Sequence, residues 1–114
     1  MEIKIVKAQI SLAEVKKMAA ESFGDMVKAV VDIEKEIMAV GGEMHADAEA
    51  LLLADGSKQS DLWGINIYPD LPSDERIEYE SLINIRLQQQ NKSMSVENEK
   101  IREKIKIIVD KLIK

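Results

Sequence analysis

The chain contains no cysteine, only one histidine, two prolines, five glycines and four aromatic residues in 114. The missing cysteine excludes a disulfide framework, a thiolate metal site and a cysteine nucleophile. A single histidine argues against the commonest zinc sites, which use several. No apolar run approaches the roughly 20 residues that cross a bilayer as a helix. MEIKIVKAQI carries charges inside its apolar pattern and does not read as a secretory signal. These absences predict a cytoplasmic protein without a membrane segment. Positive charge is also scarce where it would matter. Residues 43–94 carry four basic and ten acidic side chains, against six and seven in residues 1–42 and six and four in residues 95–114. An acidic middle repels phosphate backbones, so nucleic-acid binding is disfavoured. Lysines late in the last helix complement its dipole without any anion.

Hydrophobic residues make up 46% of the sequence, enough for a core in one domain spanning 1–114. IKIVK alternates and predicts a strand over 3–7. Ser11 followed by Glu14 has the spacing of a capping box, with Ile10 placed to staple onto Val15. Leu12, Val15, Ala19 and Phe23 share a helical face, and Gly24 is placed to end the helix. Residues 26–40 fit both periods. Met26, Val30, Ile33, Ile37 and Val40 repeat as in a helix, whereas the β-branched VKAVVDI favours a strand. A hairpin is the preferred reading, with strands near 26–33 and 36–41 turning at Glu34–Lys35. A short helix over 47–54 should close at Asp55–Gly56. LWGINIY predicts a strand over 62–68, and IEYESLINIR a partner strand over 77–86. Ser95 is placed to cap a last helix whose buried stripe is Ile101, Ile105, Ile108 and Leu112, widened by Ile107 and Ile113. The order βαββαββα predicts an α+β fold, helices packed on an antiparallel sheet.

Two constellations could carry chemistry. In GGEMHADAE, His45 and Glu49 share a face if helical, and His45, Asp47 and Glu49 share one if extended. A histidine with two carboxylates could hold a metal ion. The weightier reading makes Asp47 an N-cap and Glu49 a favourable first-turn charge. The second constellation is polar. Asn66 and Asn84 sit inside two INI cores, although asparagine is depleted in strands. With Arg86 they could line a pocket for a carboxylate or phosphate. The weightier reading has the amides satisfy loop backbone groups, with Arg86 paired to a nearby acid. Trp63, the one tryptophan, reads as a core or rim anchor.

GGEMHADAE, DGSKQSDLWGINIYP and SLINIR followed by Asn91 and Ser93 resemble a small bacterial domain family of unknown function. The resemblance covers about residues 24–110. It implies no activity, but it singles out Gly42, His45, Asp47, Glu49, Gly56, Ser57, Trp63, Gly64, Asn66, Pro69, Asn84, Arg86 and Asn91. Leu87 stands where such domains tend to carry proline. The expectation is a small binding or regulatory module with a polar pocket on its sheet at Asn66, Asn84, Arg86 and Asn91. A homodimer or a protein partner is the expected contact. The alternative is a metal-assisted hydrolase using His45, Asp47 and Glu49.

Overall fold

Central strands covered on both sides have no polar face, so they read as continuous apolar runs. That is the case for β2 (Val27–Asp32) and β3 (Ile37–Gly41), in which every residue but Lys28 is buried. Their helix-like spacing is incidental. The computed structural model, which describes residues 2–114, makes them a hairpin, with Asp32 opposite Ile37 and Ala29 opposite Val40. Asp32 holds the turn itself: Oδ1 accepts from the N–H of Glu34 and of Lys35, both at 2.9 Å.

Around this hairpin lie β1 (Ile3–Val6), β4 (Leu62–Ile67) and β5 (Ile77–Glu78). The sheet order is β1-β3-β2-β4-β5 and every pairing is antiparallel. With α1 (Leu12–Glu21), α2 (His45–Ala54) and α3 (Glu99–Leu112) the chain order is βαββαββα, an α+β fold.

Successive strand residues face opposite sides, so the sheet builds two cores. Val27, Ala29, Val31, Trp63, Ile65 and Ile67 pack with Val15 and Ala19 of α1 and Ile105, Ile108, Val109 and Leu112 of α3. Val30, Ala39 and Leu62 face the other way, onto Ala48 and Leu52 of α2. The helices therefore lie on both faces. The chain ends are tied together: Ile10 N–H donates to Leu112 O at 2.8 Å and Lys114 N–H to Ile10 O at 3.0 Å.

Local signals were read correctly at several ends. Ser11 Oγ accepts from Glu14 N–H at 3.0 Å. Gly24, at φ 97°, donates to Ala19 O at 2.8 Å and ends α1 in a conformation other residues avoid. Four expectations are corrected. Phe23 is exposed, beyond the end of α1, with Lys28 Nζ 5.2 Å from its ring. α2 starts at His45, and its cap, Met44, has no side-chain cap bond, so Asp47 is not the N-cap. Asn98, not Ser95, caps α3, accepting from Lys100 and Ile101. Ile107 is 65% exposed and adds nothing to the buried stripe.

The largest correction concerns residues 77–86. Only Ile77 and Glu78 pair with β4. Tyr79–Ser81 turn to residues 94–96 instead, through Ser81 N–H to Met94 O and Val96 N–H to Tyr79 O, both 3.0 Å. Ser81 then caps a 3₁₀ turn at Leu82–Asn84. The INIR alternation is genuine, but it belongs to a segment crossing the sheet edge.

Candidate functional site

From Leu62 to Ile65, the outer edge of β4 has no strand beside it. Its backbone groups still need partners. Asn84 supplies them. Its Oδ1 accepts from Gly64 N–H at 2.8 Å, and its Nδ2 donates to Gly64 O at 2.9 Å and to Met94 O at 3.0 Å. The side-chain amide thus pairs with the strand as a backbone peptide would. This approach needs glycine: a Cβ on residue 64 would lie 2.5 Å from Ser81 Cβ and 2.6 Å from Ser81 Oγ.

Arg86 closes the same edge one step back. Its guanidinium donates to Leu62 O, to Ile83 O through Nε at 3.1 Å, and to Gln89 at 3.3 Å, and it reaches Glu49 of α2 at 3.5 Å. It also lies 4.9 Å from the Trp63 ring. Burial presses the guanidinium below its ordinary value, and Glu49 resists. Asn91 is a hub. Nδ2 donates to the carbonyls of Asn84, Ser93 and Ser95, and Oδ1 accepts from Glu97 N–H. Arg86 and Asn91 exchange backbone bonds at 2.7 and 3.0 Å, closing the loop between them. Leu87 opens a 3₁₀ turn in that loop, where proline would cost little.

Asn66 stands apart from these three. It lies between Lys28 and Glu78 in cross-strand register, so the three share one sheet face. Its Nδ2 donates to Glu78 Oε1 at 2.7 Å and to Glu80 O at 3.4 Å, which fixes the amide orientation. The buried Oδ1 is left without a well-formed hydrogen bond. Over this row sits His45, the first residue of α2, 8% exposed, with Nε2 2.7 Å from Ile65 O. A carbonyl only accepts, so Nε2 carries the proton. Burial pushes the imidazole below its ordinary value; the Ile65 carbonyl opposes this, Lys28 adds to it and the Asn66 oxygen opposes it. Met26, Met44, Met94 and Leu82 complete a cleft of about 350 Å³ around these groups.

The metal constellation does not assemble. His45 faces the sheet, Asp47 is exposed and Glu49 faces Arg86. No three histidine, aspartate or glutamate side chains converge to hold a metal ion among the described residues. Sequence reading missed Asp32, a fully buried carboxylate that accepts at 2.6 Å from the buried hydroxyl of Ser57, a position the resemblance singles out without a role. The signal was an aspartate at a strand end before a polar turn. The bond ties the β2–β3 turn to the loop after α2.

The chain belongs to a family described as protein of unknown function (DUF5674), whose sequence profile matches residues 4–112. No curated protein and no solved structure gives a significant match.

Proposed function

Since that family carries no assigned activity, we propose from the geometry that the protein is a small binding module for a polar ligand. Its site is the cleft between His45 and Asn66. The observation that carries this reading is the acceptor of Asn66, which has His45 beside it but no well-formed hydrogen bond. An underpaired buried oxygen costs up to about 1–3 kcal/mol, and a ligand N–H would satisfy it. The cleft offers a cation at Lys28 and carboxylates at Glu78 and Glu80. That pairing suits a small zwitterion, its amine toward Asn66 and Glu78 and its carboxylate toward Lys28. Met44 and Met94 are 58% and 43% exposed, unbranched and able to move aside for it. Asn84 and Asn91 serve this reading as scaffold. A cytoplasmic location and self-association belong to the same proposal.

Calorimetric titration with a panel of free amino acids and simple amines tests it. The expected result is a responder whose binding Asn66→Leu abolishes and Glu78→Gln weakens. A panel without heat at millimolar ligand, or a responder indifferent to Asn66→Leu, overturns it.

A further inference from the structure

The outer face of α2 is apolar. Ala46, Asp47, Ala50, Leu51, Leu53 and Ala54 point away from the sheet and are exposed, and only one of the six is charged, in a chain with 32% charged residues. A helix with apolar residues on its outer as well as its inner face is ordinarily covered. The apolar surface continues onto the neighbouring segment, where Leu82 and Leu87 are 69% and 74% exposed. They border a cleft of about 590 Å³ whose other wall includes Glu49 of α2. Protruding leucines and a hollow occur side by side, as a self-complementary surface requires.

We propose that a second copy of the chain covers this face, the two α2 helices running antiparallel about a two-fold axis near Ala50. The charge distribution selects that occupant. The N-terminal end of α2 carries exposed Glu43 and Asp47. The C-terminal end has a surplus of lysines: Lys35 Nζ lies against Gly56 and Lys58 is exposed, while Asp55 is already paired with Lys7 at 3.1 Å. An antiparallel copy sets acids on lysines at both ends of the contact and opposes the helix dipoles. A parallel copy would set like charges together. Two chains of net charge −5 repel in most orientations, so a contact between them must be apolar at its centre and sorted in charge at its rim. A standard interface takes about 800 Å² from each partner, roughly an eighth of the 6260 Å² surface here. One face of a ten-residue helix, about 15 Å long and about 10 Å across, is smaller than that, so Leu82 and Leu87 enter the contact as well.

This inference rests on the self-association part of the proposed reading and not on the Asn66 cleft. Sedimentation of the full chain should show a dimer at high-micromolar concentration. Ala50→Arg, which brings two cations onto the axis, should dissociate it at least a hundredfold more readily while the far-ultraviolet dichroism stays unchanged. Because the chain has no cysteine, Ala50→Cys should give a disulfide-linked dimer on mild oxidation, whereas Lys104→Cys on α3 should not. If Ala50→Arg fails to fold, the cross-link decides. A monomeric wild type, or a dimer that Ala50→Arg leaves intact and Ala50→Cys does not link, overturns the proposal. Ligand titration of monomeric Ala50→Arg separates this failure from failure of the cleft, which Ala50 does not line.

Discussion

Asn84 has no exposed surface, and its side chain makes three hydrogen bonds to backbone groups of Gly64 and Met94. Replacing it with aspartate keeps the shape and removes the donors, so the Gly64 and Met94 carbonyls would face a carboxylate. Asn84→Asp should cost about 3 kcal/mol or more, read as a lower urea midpoint at unchanged slope. A loss under about 1 kcal/mol would show that water replaces the amide there. His45 makes a different residue-scale prediction. Its folded imidazole titrates below the ordinary 6.5 because burial disfavours the charge. The unfolded chain therefore binds more protons in the window just under that value. The stability His45 contributes is fully present above pH 6.5 and is lost as pH falls through the folded value. Stability curves of wild type and His45→Gln, whose amide can still donate to Ile65 O, should diverge between neutral and mildly acid pH, with wild type losing more. Parallel curves would contradict this. The sequence favours a backbone-satisfying role for Asn84 but does not name its partner, and it names none for His45 either. An asparagine between isoleucines looks the same whether it binds a ligand or replaces a strand, and only the residue twenty positions away distinguishes them.

Among the elements, those defined by local chemistry were readable. Ser11 and Gly24 bracket α1, Asp55–Gly56 closes α2, and the 3.6-residue stripe of α3 holds at Ile105, Ile108 and Leu112. β4 was readable too, because its six residues are all buried and its alternation sorts Trp63, Ile65 and Ile67 onto one face. The segment from Tyr79 to Ser95 was not. It is held mainly by side chains bonding to distant backbone, and such bonds leave no period in the sequence. Gly64 tests how closely that segment sits on β4. Gly64→Ala would force its Cβ against Ser81 at 2.5 Å and Ile83 at 3.0 Å. Overpacking of this kind should cost about 1–3 kcal/mol and loosen the 81–84 turn first, seen as faster amide exchange there than in α3. Uniform acceleration across the chain would mean that the turn and the sheet open together.

At the scale of the whole molecule, one sheet separates a thick layer of two helices from a thin layer of α2 and the 82–91 segment. Both candidate surfaces lie on the thin side, which is where the described chain has least material to cover its own apolar atoms. The described residues form a body with a radius of gyration of 12.7 Å. Composition, hydrophobic period and turn chemistry by themselves determined the α+β class, the βαββαββα order and three helix ends, because each depends on neighbours within a few residues. Tertiary structure alone decided that the Asn84 and Asn91 amides bond to backbone groups, that Glu49 faces Arg86, and that Asn66 and His45 meet over a cleft. Those outcomes depend on which side chains arrive at the open edge of β4 from far along the chain, and a hydrogen bond between distant residues imposes no pattern on the residues around either partner.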